Sequence, residues 1–368
     1  MSFMAATGSI EFIKNLLIEI RIMKEQMKTK LIIPVIFILF YSFTGCNREN
    51  NPKENDTPTT GEITICADET FAPIVDSEVT SFNKIYTYAK INVLYKSETQ
   101  AINDLLSDSA RLVIVTRKLT KEENSIFEKQ NIIPIVRKIC YDAVAVILNN
   151  QNKDTLLTMQ NFRDIMSGNI ANWWQLNKKS ELSAIQIVFD NPNSSTVRFV
   201  KEKINNAPLA KNSYAVENNS AVVDYVSKNK NAIGIIGVNW ISDKYDTLTH
   251  NFLQKVKVAG ISDTIRHSDA EHISYKKDGS QIRKESSWRQ SFNDYYQPYQ
   301  AYIAQKTYPL IREVYILSGE ARTGLGSGFI AFVTSDKGQR IVLKGGLVPA
   351  TAPVRLVEIR NENINITK

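Results

Sequence analysis

Residues 188–200 read VFDNPNSSTVRFV: an apolar run, a loop of small hydroxylated residues, then the start of a helix-like segment. The stretch AIQIVFD (184–190) has the β-branched, apolar character of a buried strand, and STVRFVKEKI (195–204) continues as a helix. A strand that passes through Ser194, Ser195 and Thr196 into a helix presents hydroxyls and unpaired N–H groups at the positive end of the helix dipole. That is a means of holding an oxyanion. Asp190 stands just before this cradle. A carboxylate beside an anion is repulsive, by about 4 kcal/mol for unit charges 4 Å apart at an effective dielectric near 20.

The pattern extends outward from this loop in both directions. EITICA (62–67) reads as a strand, and the next segment places Val75, Val79 and Phe82 on one helical face with Pro73 in the first turn. KINVLYK alternates as a half-buried strand, AINDLLSD is a short helix, and ARLVIVTR is a buried strand. Thr120 with Glu123 makes a capping box that opens a further helix. YDAVAVILNN (141–150) is a long apolar strand, TMQNFRDIMSG a helix closing at Gly168, and NNSAVVDYVSKN another helix. AIGIIGVNWI and YPLIREVYIL are later apolar strands, and GSGFIAFVTSDKGQRIVLKGGLVPA gives a closing helix pair. Strands interleaved with helices predict an α/β fold with parallel strands. Residues 263–298 interrupt the pattern as a polar, irregular excursion holding His267 and His272.

Composition narrows the function classes. The chain has 368 residues, is 43% hydrophobic and 23% charged, and carries a formal charge of +7. Residues 1–46 hold five of the basic and three of the acidic groups, which leaves +5 for the remainder. Those charges are interspersed, as on a solvated surface, and give no nucleic-acid face. KTKLIIPVIFILFYSFTGC (28–46) has the basic start and short apolar core of a signal peptide, too short for a comfortable membrane span. Its ending FTGC resembles a bacterial lipobox, which makes Cys46 the expected lipidated residue and an N-terminal lipid the expected membrane anchor. Met27 is the expected true start, and residues 47–61 read as a disordered tether. Cys66 and Cys140 are left either to pair or to stay as buried thiols.

Six stretches taken in order resemble the phosphate-type solute-binding proteins of bacterial ABC transporters. They are VIVTRKLTKEE, MQNFRDIMSGNIANWWQL, NSSTVRFV, NKNAIGIIGVNWI, YPLIREVYIL and FIAFVTSDKGQRIVLKGGLVPA, and they span most of residues 62–350. The resemblance implies a two-lobed type II periplasmic binding protein fold. Residues 62–145 plus 308–368 would form the first lobe and residues 146–307 the second, with YDAVAVIL and YPLIREVYIL crossing between them around a ligand cleft. The expected protein is a monomer that captures inorganic phosphate or a close oxyanion outside the cytoplasm, in the periplasm or at the cell surface. It would pass that anion to an ABC permease. A different small solute, or a sensor role for the same fold, is the alternative.

Within that family the ligand would be held by Thr70, Phe71, Thr116, Arg117, Ser194, Ser195 and Thr196. Asn219 matches a position near the cleft, and Arg198 could restore positive charge from the first turns of its helix. Better-known members carry arginine where this chain has Asp190, and glycine where it has Ser195. A carboxylate can accept the proton that phosphate still bears near neutral pH, so Asp68, Asp142 and Asp190 are candidate acceptors; otherwise Asp190 turns outward as a loop cap. Trp173 and Trp174 read as packing residues. No metal, cofactor or catalytic residue is expected. His250, His267 and His272 match no zinc spacing, and GLGSGF (324–329) lacks the first glycine of a nucleophile elbow.

Overall fold

The computed structural model describes residues 21, 56–242, 247–263, 273–275, 281–283 and 295–354. Two compact units divide after Asn51, and the first is described only at Arg21, which is helical. Cys46, His267 and His272 lie outside the described residues.

The strands are β1 (Gly61–Asp68), β2 (Ala89–Lys96), β3 (Leu112–Val115), β4 (Ile135–Asn149), β5 (Leu156–Thr158), β6 (Gln186–Phe189) and β7 (Ser213–Ala215). They continue with β8 (Ala232–Gly237), β9 (Val256–Val258), β10 (Gly260–Ser262), β11 (Ile273–Tyr275), β12 (Gln281–Arg283), β13 (Ile311–Ser318) and β14 (Val348–Pro349). The helices are α1 (Ala72–Ile85), α2 (Glu98–Leu106), α3 (Lys121–Lys129), α4 (Met159–Ser167), α5 (Trp173–Leu176) and α6 (Ser195–Lys203). After them come α7 (Asn219–Lys228), α8 (Thr247–Lys255), α9 (Gln300–Ala304), α10 (Leu325–Thr334) and α11 (Asp336–Lys344).

One curled sheet runs β2-β1-β3-β13-β4-β8-β6-β7. In the first lobe β1, β2 and β3 are parallel, and β13 lies antiparallel between β3 and β4. In the second lobe β6, β7 and β8 are parallel. The 15-residue β4 belongs to both: Ile135–Ala143 pairs with β13, and Val144–Leu148 pairs with β8. Its apolar run is long enough to serve two sheets in succession, and from Ala143 onward it is buried without alternation, as a strand covered on both faces must be. The carboxyl ends of β1, β3, β6 and β8 converge between the lobes, where ligands of open α/β sheets sit.

Local signals act as their chemistry requires. Thr120 accepts the Glu123 N–H while the Glu123 side chain accepts the Thr120 N–H, the capping box that starts α3. Gly168 ends α4 at φ +85°, a left-handed conformation that glycine adopts without strain. Trp173 is fully buried with its indole N–H on the Asn231 carbonyl, but Trp174 is exposed because α5 turns that face to solvent. The stretch read as a tether is held at its end: Asp56 Oδ1 accepts the Leu325 N–H that opens α10, and Pro58 lies against Gly328. A Cβ at 328 would fall 1.9 Å from the Pro58 carbonyl oxygen. Inside the excursion read as irregular, β11 and β12 form an antiparallel pair. Cys66 and Cys140 are free, buried thiols, so of the two readings left open they remain unpaired.

Candidate functional site

Each carboxyl strand end contributes one loop. After β1, Asp68 Oδ1 accepts the Thr70 N–H at 2.9 Å and caps a short 3-10 turn. After β6, Ser194 caps α6 by accepting the Val197 N–H and donates its own hydroxyl to Asp190 Oδ1 at 2.6 Å. After β8, the indole of Trp240 donates to the Thr70 carbonyl at 2.9 Å, and the Asn239 amide donates to the same oxygen. Asp68, Thr70, Phe71, Asp142, Asp190, Ser194, Ser195, Thr196 and Asn219 are all buried.

The two lobes meet through these groups. The Ser195 N–H donates to Asp68 Oδ2 at 2.9 Å, and the Thr70 hydroxyl donates to Asp190 Oδ2 at 3.3 Å. Asn219 Nδ2 donates to Asp190 at 3.2 Å and to Glu69 at 2.8 Å, while Asn219 Oδ1 accepts the Gly237 N–H. Asp190 therefore points inward with three donors on it and is no outward loop cap. Gly237 makes this approach possible, because a Cβ there would lie 2.4 Å from Thr70 Cγ2.

A buried cation reaches this loop from another strand. Arg312 of β13, a residue the sequence reading did not single out, is 4% exposed and sits opposite Asp142 of β4 in register. Arg312 Nε donates to Asp142 Oδ2 at 2.8 Å, and Nη1 donates to Ser195 Oγ at 3.1 Å and Thr196 Oγ1 at 3.4 Å. The guanidinium lies over the Phe71 ring, 5.1 Å from its centroid, a cation–π contact. Nη2 makes an ion-pair contact with Asp142 at 2.7 Å but no hydrogen bond among the described residues. The sequence signal was a single arginine in the apolar strand YPLIREVYIL, facing a single aspartate in YDAVAVIL.

Thr116 and Arg198 form a second cluster with Glu98 of α2. Glu98 Oε1 accepts both the N–H and the hydroxyl of Thr116 at 2.7 Å, and Oε2 accepts Arg198 Nε. Arg198 also donates to Thr116 Oγ1 and to Glu202. Arg117 stands apart from this cluster, because both its terminal nitrogens donate to Glu123 at 2.7 Å. The capping glutamate of α3 is its nearest strong acceptor, and the bidentate fork satisfies both partners.

Burial pushes the Asp190 carboxyl up to about 7, helped by the charge of Asp68 and opposed by the Ser194 hydroxyl. Burial likewise raises Asp68, helped by the charge of Glu98 and opposed by the Thr70 side chain and the Ser195 N–H, and it raises Asp142 against Arg312. Glu98 is the exception: burial would raise it, but Arg198 and Thr116 outweigh burial and hold it below the usual range. The site is thus a buried set of hydroxyls, amides and one guanidinium interleaved with carboxylates. It can exchange hydrogen bonds and charge with a small polar solute.

Comparison with known proteins gives a concordant picture. A family model described as a PBP superfamily domain matches residues 52–337. The phosphate-binding protein PstS of Borreliella burgdorferi is 25% identical over 226 residues, 59% of this chain and 75% of that protein. PstS of Staphylococcus aureus is 26% identical over 189 residues, 51% of this chain and 58% of that protein. Among solved structures, a Clostridium perfringens protein crystallised with phosphate bound superposes with a TM-score of 0.60 at 21% identity, over 78% of this chain and 99% of the other. An ABC-type phosphate transport receptor of Vibrio cholerae gives a TM-score of 0.55 at 22% identity, again over 78% and 99%. With the curled two-lobed sheet of the type II periplasmic binding fold and a family match over most of its length, this chain belongs to the PBP superfamily.

Proposed function

We propose that the chain is an extracytoplasmic solute-binding lipoprotein that captures phosphate, or a similar oxyanion, in its interlobe cleft and delivers it to an ABC permease. The observation that carries this reading is Arg312, whose Nη1 meets the Ser195 and Thr196 hydroxyls at the start of α6. Each hydroxyl that accepts from the guanidinium keeps its own proton to donate, so a cation, two hydroxyls and a helix N-terminus converge on one place. The relatives named as phosphate-binding proteins support the same ligand. Thr70, Phe71, Ser194, Ser195 and Thr196 line this place, with Arg312 taking the role of the loop arginine that Asp190 replaces. Asp190 accepts a proton from the bound phosphate. Thr116 and Arg198 contribute once Glu98 moves, and Arg117 stays with Glu123.

In this reading the protein works as a monomer by binding alone, with lobes at residues 62–145 plus 308–368 and 146–307, and Cys46 carries the lipid. Crystals grown with phosphate test the ligand: tetrahedral density within hydrogen-bond distance of Ser195, Thr196 and Arg312 is expected, and density elsewhere only would remove the assignment. Labelling with a fatty-acid analogue, lost on Cys46→Ser, tests the anchor.

One observation favours a second reading. Asp68, Glu69, Glu98, Asp142 and Asp190 outnumber Arg198 and Arg312 around the cleft, which suits a solute that brings hydrogen-bond donors of its own. A thermal-shift screen separates the two, since only a ligand that binds the folded state raises the melting temperature with its concentration.

A further inference from the structure

The donors that would receive an anion between the lobes are engaged by the protein's own carboxylates, and in two places that engagement joins one lobe to the other. At the first, Asp68 from the end of β1 accepts the Ser195 N–H at the start of α6, at 2.9 Å. At the second, Glu98 of α2 gathers the Thr116 N–H, the Thr116 hydroxyl and the Arg198 guanidinium of α6. Glu98 is 2% exposed and Asp68 is 1% exposed, so neither contact is a loose surface pair. A backbone amide at a helix start, a threonine with both its donors and an arginine form the donor set of an oxyanion site, here closed on internal acids.

We infer that Glu98, with Asp68, is a built-in substitute for the solute: it latches the two lobes together in the absence of ligand, and an arriving anion must displace it. The inference concerns the same cleft as the proposed function and rests on that reading only for the part of the test that uses phosphate. Its physical content is a competition. Where a latched state outweighs the binding-competent one, apparent affinity falls by the competent fraction, and removing the latch restores it. Glu98 differs from the ligand-contacting groups because, among the described residues, its side-chain hydrogen bonds go to Thr116 and Arg198. It therefore affects binding by occupying donors.

The test begins without any ligand. Small-angle scattering of the phosphate-free wild-type chain should give a smaller radius of gyration than that of Glu98→Gln, in which a neutral amide faces Arg198. The double variant Glu98→Gln/Arg198→Met removes both partners and should be expanded to the same degree, which guards against a fold defect from one unpaired charge. Equal radii for all three would overturn the latch. The second measurement is phosphate titration of wild type and Glu98→Gln, where affinity should rise about tenfold and association should speed up. Unchanged or weaker binding by Glu98→Gln would overturn the competition. Absence of phosphate binding in every variant would instead count against the phosphate reading, while scattering still decides the latch.

Discussion

Arg312 and Asp142 stand directly opposite each other on neighbouring antiparallel strands, and the guanidinium divides itself between that carboxylate and the Ser195 hydroxyl of the other lobe. One edge of the arginine is therefore held by the strand pair of its own lobe, and the other meets the hydroxyls at the start of α6. Truncating a buried partner leaves an uncompensated charge. Arg312→Met should thus destabilise the fold by about 3–5 kcal/mol, whereas Arg312→Met/Asp142→Leu should recover most of that loss. With Arg312 as the proposed cation, facing the Ser195 and Thr196 hydroxyls through Nη1, phosphate binding should be weakened at least about tenfold in both variants. Chemical denaturation and titration calorimetry, run on the same preparations, separate the two effects.

Binding should depend on pH through Asp190. Its carboxyl is pushed up to about 7 by burial and by the neighbouring Asp68, with Glu69, Arg312, Thr70, Ser194 and Asn219 also facing it or near it. If the site binds phosphate as the dihydrogen anion, with one of its two protons on Asp190, then binding takes up one proton above neutral pH, where free phosphate carries a single proton and free Asp190 is ionised. Affinity then falls as pH rises, by about tenfold per unit in that range. Calorimetry between pH 7 and 9, in buffers of different ionisation enthalpy, should show uptake of about one proton. Asp190→Asn should flatten the profile. A wild-type affinity constant across that range would exclude proton sharing.

Gly237 sets how closely the lobes can meet. A Cβ there would lie 2.4 Å from Thr70 Cγ2 and 3.1 Å from Arg312 Nη2, closer than an unstrained side chain tolerates. Gly237→Ala should reduce phosphate affinity by about tenfold or more through a wider cleft. Thr70→Ser removes the colliding methyl while keeping the hydroxyl that reaches Asp190. Gly237→Ala/Thr70→Ser should therefore bind better than Gly237→Ala alone, a non-additivity expected of residues in contact.

Glu78 carries a separate stability signature. It is 3% exposed on α1, neither carboxyl oxygen has a hydrogen-bond partner among the described residues, and burial pushes it up to about 9. The folded chain holds a proton there that the unfolded chain releases in the ordinary carboxylate range. Stability is therefore fully present below that range, falls as pH rises through it, and levels off above about 9. Glu78→Gln should stabilise the protein at pH 8 by about 1–3 kcal/mol and remove that share of the slope. Equal melting temperatures at pH 5 and pH 8 for both proteins would contradict this.

The fold was legible because its signals are local. The capping pair Thr120 and Glu123, the helix end at Gly168 and the unbroken apolar run of β4 each act within a few residues. The site was legible only in part. Ser195 and Thr196 could be placed at a helix start from their neighbours, but their partners lie far along the chain: Asp68 is 127 residues from Ser195, and Arg312 is 117. A charge within an apolar strand was the available sign of Arg312, and it gains meaning only beside the matching charge of Asp142. Arg117 illustrates the reverse case, a plausible ligand residue captured by a local glutamate that the same sequence had marked as a cap.

Titration calorimetry of the purified chain with phosphate and with sulfate at pH 7 tests the central claim most directly. The account predicts saturable, micromolar or tighter binding of one phosphate, little or no heat from sulfate, and loss of the phosphate signal in Arg312→Met/Asp142→Leu. Absence of heat with phosphate, or binding that survives in that double variant, would contradict it.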